Sequence, residues 1–298
     1  MAQIKPNILI ILILSILLIF GVYLSFIGGY GSDEDTLPMI YVFEKRLADG
    51  TFVTSRFTGN PVAEMGIGFL SYFFGSFIAN LVTFSLFLFG SIFIFFALSK
   101  KKDQNLYIFL LLCLSSQVLY FDNLEPIDYS WALFPFGLGF YLLSKKHLEL
   151  AILLLAISVG ARINFLIFII PMVFLFNYDY KISFNKKIII FLSIFFISGL
   201  FYIPIWYDYS FSLQWLTSAR PTEQGFIGLL SRFVYKTVLA LGLVQIIIII
   251  FTFLKSKILI INFYKNRIFF SIIFLNFLLF LYFPAKLWFL QPAIIFLY

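Results

Sequence analysis

Long apolar runs alternate with short polar segments along the chain. A membrane-crossing helix needs about 20 predominantly apolar residues, and residues 7–27 supply the first such run. The apolar part of a secretory signal is usually about 7–15 residues and ends at an A-x-A-like site. This run is longer and is followed by Gly28, Gly29, Gly31 and Ser32, so it reads as an uncleaved first span. Residues 28–65 form the longest polar stretch and hold Asp33, Glu34, Asp35, Glu44, Lys45, Arg46, Asp49, Arg56 and Glu64. Within it Leu37, Ile40, Phe43 and Leu47 recur at three- and four-residue spacing, which predicts a short amphipathic helix over 36–47. Asp35 is its expected N-cap and Asp49-Gly50 its stop.

Residues 66–78 are apolar but interrupted by Gly66, Gly68 and Gly75, and are expected to lie along the membrane interface. Spans are expected at 80–98, 105–121, 130–144, 188–206, 237–254 and 268–283. The apolar run 148–177 would be about 45 Å long as one helix, well beyond a hydrocarbon core of about 30 Å. Its interruption at Gly160-Ala161-Arg162 predicts a hairpin turning over 160–164. Residues 207–225 form a second polar segment on the side of the first, and 226–236 read as amphipathic. Residues 287–298 open a further span and stop inside it, so the last span reads as truncated. The expected architecture is all-α: one domain, 1–298, a polytopic transmembrane helical bundle of about nine to ten spans.

Composition excludes the other classes. Of the 298 residues 62% are hydrophobic and 12% charged, whereas soluble domains carry roughly 25% charged residues. Disorder requires low hydrophobicity and is excluded too. Cys113 lies in an apolar run and reads as a small buried hydrophobe. One cysteine and one histidine, His147 beside Lys145 and Lys146, exclude a His/Cys zinc site.

Charge sorts by side. With the N-terminus inside, the inner segments hold 13 basic and three acidic residues, and the outer segments hold 8 basic and 11 acidic ones. The positive-inside rule favours this orientation, so the net charge of +7 is an orientation signal. Trp131, Trp206, Trp215 and Trp288 fall at or near the outer edge, as interfacial aromatics do. The scattered basic residues form no stripe that would suit nucleic acid. No Gly-rich phosphate loop or EF-hand spacing is present. The expected location is a bacterial inner (plasma) membrane with the N-terminus cytoplasmic.

Few residues are left to carry chemistry. Asp33-Glu34-Asp35 reads either as a solvated loop that caps a helix or as a repelling cluster in which one raised pKa makes a base. Asp122, Glu125 and Asp128 read as a polar turn around Pro126 or as a second carboxylate site near the first. Arg162 interrupts an apolar run, where an arginine is costly and is functional or snorkels; a hairpin tip would put it near phosphate depth. Arg232 and Lys236 share one helix face and either attract an anion or anchor to headgroups. Lys286, close after Pro284, is open to the same two readings.

In order, the chain shows a first helix, an outer loop with Ser32-Asp33-Glu34-Asp35, an amphipathic segment, Gly59-Asn60-Pro61 with Glu64, and a span. Glu125 or Asp128 stands before a later span, Gly160-Ala161-Arg162 forms a hairpin, and Lys286, Gln291 and Pro292 close the series. This order resembles the polytopic GT-C glycosyltransferases, of the protein-mannosyltransferase and aminoarabinose-transferase kind, which use polyprenyl-phosphate sugars. Members of that superfamily are commonly longer, often with a soluble C-terminal part.

The resemblance implies inverting sugar transfer from a polyprenyl-phosphate donor to a glycolipid, polysaccharide or protein acceptor at the outer face. It implies a base among Asp33, Glu34 and Asp35, and donor-phosphate contacts from Arg162, Lys286, Arg232 and Arg56. Glu64, Glu125 and Asp128 would lie on the acceptor side. The expected partners are membrane lipids, the lipid-linked sugar and the acceptor; a divalent metal is not specified by the residues. A polysaccharide polymerase or ligase would share the topology. A transporter is the non-enzyme alternative, and it would place ionisable residues at mid-membrane in paired broken helices.

Overall fold

The computed structural model describes residues 8–31, 36–55, 59–99, 106–176, 178, 180–212, 226–255, 267–282, 291 and 294–295. Every regular element among them is helical, and no strand occurs among the described residues. In chain order the helices are α1 Ile8–Ile27, α2 Thr36–Asp49, α3 Pro61–Leu98, α4 Leu106–Ser115 and α5 Gln117–Phe121. They continue as α6 Asp128–Ser144, α7 Leu148–Ala161, α8 Phe165–Leu175, α9 Phe184–Asp208, α10 Phe226–Lys255 and α11 Arg267–Tyr282, with a 3-10 turn at Asp122–Leu124. Helices satisfy their own backbone groups, as an apolar solvent demands. Among the described residues α1, α3 and α9 are long and apolar enough to cross a membrane, and the bent α4–α5 segment makes a fourth candidate.

The core forms around α3, α6 and α7, with α3 packing most extensively on α6. Glycines set that contact: a Cβ on Gly137 would come within 2.3 Å of the Gly90 carbonyl oxygen. Small residues at such crossings let helix backbones approach where lipid supplies no hydrophobic drive. The Ser158 hydroxyl donates to Ala132 O at 2.8 Å and ties α7 to α6. Cys113 is buried in the core, as expected.

Several helices differ in detail from the sequence reading. The helix expected over 36–47 is present and ends at Asp49, where Gly50 takes φ 75 and donates its N–H to Arg46 O. Its buried face is Met39, Val42 and Phe43, whereas Leu37 and Leu47 are 63% and 55% exposed. Two apolar stripes were available, and contact with α3 selects the one around Met39. The outward stripe suits a helix lying against apolar surroundings.

The interfacial segment and the span expected over 66–98 belong to α3, which starts earlier, at Pro61. It divides at Gly75, with φ 77 and ψ 179. That conformation is essentially open to glycine alone.

The span expected at 105–121 is broken at Ser116, and the two halves bend by 88°. The break has a partner in α10, where Gly242 is non-helical with φ 73 and ψ 159. Ser116 N–H donates to Cys113 O, which leaves Leu112 O without its helical donor. Gln245 Nε2 donates to Leu112 O at 3.2 Å, and Ser116 Oγ donates to Ala240 O at 3.4 Å. Each broken helix therefore supplies a side chain to the other's backbone. The boundary expected between 236 and 237 is absent, because α10 runs through it to Gly242.

The hairpin expected over 148–177 is present as α7 and α8, with its turn at 162–164. It helps to define two opposite ends of the bundle. At one end Arg162 meets Asp128, and Phe52 and Thr54 meet Asp208 and Tyr209. At the other, Tyr180 donates to Leu143 O and Lys187 to Phe174 O.

Candidate functional site

Three helix termini converge at the first of these ends. Asn60 stands at the N-cap of α3, with Pro61 following at a position where a missing N–H costs nothing. The Asn60 side chain does not cap its own helix; its Nδ2 donates to Asp128 Oδ2 at 2.6 Å. Asp128 opens α6 and Glu64 lies in the first turn of α3, so the positive ends of two helix dipoles favour both carboxylates. Arg162 is the C-cap of α7, where the negative helix end favours a cation.

Arg162 Nη1 pairs with Asp128 Oδ2, and Arg162 is only 5% exposed. Its guanidinium carbon lies 3.7 Å from the centre of the Tyr129 ring. Glu64 is fully buried and accepts from Ser55 N at 3.1 Å and from the Ser55 hydroxyl. The Tyr202 hydroxyl donates to Val159 O at 2.8 Å, satisfying a carbonyl in the last turn of α7. Tyr202 also lies within electrostatic range of Glu64, Asp128 and Arg162. A buried ionic cluster of this kind stands only because each member is paired or hydrogen-bonded.

The acidic triplet Asp33, Glu34 and Asp35 lies outside the described residues, but both flanks are placed. Gly31, with φ 77, lies so close to Glu125 that a Cβ there would approach its carboxyl carbon within 2.1 Å. Thr36 Oγ1 donates to Pro126 O at 3.4 Å. One flank of the triplet thus lies against Glu125 and the other is hydrogen-bonded to Pro126, neighbouring residues of the second acidic loop. Buried Asn80 of α3 holds the approach to it, donating to Ser25 O at 3.1 Å and Gly29 O at 2.6 Å beyond the end of α1.

An apolar groove of about 560 Å³ opens beside the cluster, lined by Phe43, Met65, Gly66, Phe69, Leu70, Val82 and Trp131. Met65 directly follows Glu64, and Trp131 lies about one helical turn beyond Asp128. The Trp131 ring rests over Gly66, and its Nε1 donates to Thr83 Oγ1 at 3.2 Å.

The structure brings Glu64, Asp128 and Arg162 together and places Glu125 at the flank of the acidic triplet. Arg162 turns inward onto Asp128 instead of reaching toward headgroup depth, because a buried carboxylate stands within its reach. Arg232 is exposed on α10. Arg56 and Lys286 lie outside the described residues, as do Trp215, Trp288 and Pro292. Among the described residues no group of three or more His, Cys, Asp or Glu side chains gathers in a way that suits a metal ion.

Sequence reasoning missed Asn60, Tyr129 and Tyr202 as members of the cluster. Asn60 carried a signal, since an Asn before a helix-opening proline is a polar side chain at a helix start that either caps the helix or serves another group. Tyr202 sits in an apolar helix and carried none. In comparisons with known proteins, the chain matches no family model, no curated protein and no solved structure.

Proposed function

We propose that the protein is a polytopic membrane glycosyltransferase of the GT-C kind, with about nine to ten spans, a cytoplasmic N-terminus and its site at the outer face. The observation that supports this reading is that the flanks of Asp33–Asp35 meet the second acidic loop, Gly31 lying against Glu125 and Thr36 bonding to Pro126, beside buried Glu64, Asp128 and Arg162. A carboxylate of the triplet takes the proton from an acceptor hydroxyl. The acceptor oxygen attacks the anomeric carbon as the bond from that carbon to the phosphate oxygen breaks. The polyprenyl phosphate leaves with the electron pair.

The groove beside Trp131 suits the apolar chain of the donor, and Arg56, Arg232 and Lys286 are the cations assigned to its phosphate. Arg162 is already committed to Asp128, so its part is to hold that carboxylate in place on the acceptor side.

A transport reading draws on one observation, the facing breaks at Ser116 and Gly242. These breaks are bridged by Ser116 and Gln245, which are not ionisable, whereas ion-coupled transporters carry ionisable groups at such sites. We therefore rank it third, behind sugar transfer and the polysaccharide polymerase or ligase alternative.

The test is transfer from a radiolabelled polyprenyl-phosphate sugar by the full chain in membranes, with Asp33→Asn, Glu34→Gln and Asp35→Asn compared. One of the three is expected to lose about 10²–10⁴-fold in rate. Unchanged transfer in all three sinks the base assignment. No transfer by the unsubstituted chain from any such donor sinks the reaction class.

A further inference from the structure

The end of the bundle opposite the acidic site joins two basic segments that lie far apart in the sequence. Lys145, Lys146 and His147 follow α6, and Lys181, Lys186 and Lys187 flank the start of α9. Tyr180 donates to Leu143 O at 2.6 Å, and Lys146 Nζ stands 5.1 Å from the centre of the Tyr180 ring. Lys187 donates to Phe174 O at 2.9 Å, and Tyr178 donates to Met172 O at 2.7 Å. The carbonyls left at the ends of α6 and α8 are thus capped by side chains of the 178–187 segment.

The turn at Lys146 is built in an unusual way. His147 N–H bonds to Leu142 O and Lys146 N–H to Leu143 O, the paired bonds of a Schellman helix ending. Its left-handed position favours glycine, yet it is held by Lys146 at φ 70. The residue that suits the backbone best has been passed over for one that carries a cation.

Lys145, Lys146, His147, Lys181 and Lys186 are exposed, and none of them makes an ion pair with a described acid. Nearby helix flanks expose Leu150, Leu153, Phe184 and Ile189. The cations therefore adjoin exposed apolar side chains, the combination that suits a lipid headgroup and its acyl chains.

We infer that this end is a binding site for the phosphate headgroup of an anionic phospholipid, held by Lys145, Lys146, Lys181 and Lys186. The site is independent of sugar transfer and is read by lipid retention, so its failure leaves the transferase reading untouched. Free phosphate presents the same chemistry but would gain nothing from the adjoining apolar flanks.

The test extracts the full chain from vesicles of equal phosphatidylglycerol and phosphatidylcholine and measures the retained lipids by native mass spectrometry. Phosphatidylglycerol is expected to be enriched on the unsubstituted protein. Enrichment is expected to fall by about fivefold for each lysine changed to glutamine at these positions, and to stay unchanged in Lys45→Gln at the acidic end. Lys146→Gly is the decisive variant, because it relaxes the turn while removing the cation: the fold should be at least as stable and the enrichment lower. Equal retention of the two lipids, full enrichment in the variant lacking all four lysines, or displacement of the lipid by millimolar inorganic phosphate would each overturn the assignment.

Discussion

The two ends of the bundle handle charge in opposite ways. At the acidic end Glu64, Asp128 and Arg162 are buried at helix termini and bound to partners inside the protein. At the basic end Lys145, Lys146, Lys181 and Lys186 are exposed and none pairs with a described acid, Lys145 and Lys146 resting only over tyrosine rings. A buried charge shapes the fold because losing its partner strands it in a poorly solvating medium. An exposed charge leaves the fold almost unaffected and acts on neighbours outside it.

The largest test of this contrast is Arg162→Leu, which is expected to cost about 3–5 kcal/mol of stability by breaking the buried pair with Asp128. Lys186→Leu at the basic end should stay within about 0.5 kcal/mol, both read from chemical unfolding in detergent. Joining Arg162→Leu with Asp128→Leu should recover part of the loss; an additive double variant would show that the two side chains do not act as a pair. Next in size is Gly31→Ala, which must displace the Glu125 side chain and strain a left-handed backbone. A cost of about 1–3 kcal/mol is expected, with transfer lost more steeply than stability. Transfer that followed stability alone would mean that the flank at Gly31 does not position the site. Lys146→Gly carries the opposite sign and should raise stability by about 1 kcal/mol, a rise that calorimetry would detect.

The smallest effect belongs to Asp49 at the exposed end of α2, whose carboxyl is held below the usual range by hydrogen bonds from the Thr51 side chain and backbone. Its pKa is lower folded than unfolded, so its contribution is whole above the ordinary Asp value of about 4 and is lost as pH falls through the lowered value. Asp49→Asn should remove that acid-side dependence and leave the rest of the pH profile in place. A profile unchanged from the unsubstituted chain would show that the Thr51 contacts carry no stability.

Local patterns made much of the helical layout legible. The first apolar helix, the stop at Asp49-Gly50 and the turn near Arg162 each follow from apolar length and breaker residues within a few positions. The face of α2 was misread because Leu37 and Leu47 complete a stripe as regular as the buried one, and only contact with α3 chooses between them. The bend at Ser116 was invisible because its support, Gln245, lies far along the chain. Within the site, Asp128 and Arg162 stood out separately as charges in unusual places, but pairing depends on how α6 meets α7. The acidic triplet and the second acidic loop were likewise two candidates until the placing of Gly31 and Thr36 brought the flanks of one against the other.

Gln245 leaves the ribosome long after Leu112. Until it arrives, the carbonyl freed by the bend at Ser116 has only the Ser115 hydroxyl, at 3.0 Å, as its donor, whereas a straight helix would give it a backbone N–H as apolar surroundings demand. The segment 106–121 is therefore expected to enter the membrane as the straight span its hydrophobicity describes, and to fold over only once α10 is in place. Biogenesis then includes a late bending step, in which an already inserted helix is remodelled by one made afterwards. Spin labels at Ile108 and Phe121 should lie farther apart in a chain halted before residue 226 than in the full chain; equal distances would show that the bend forms unaided.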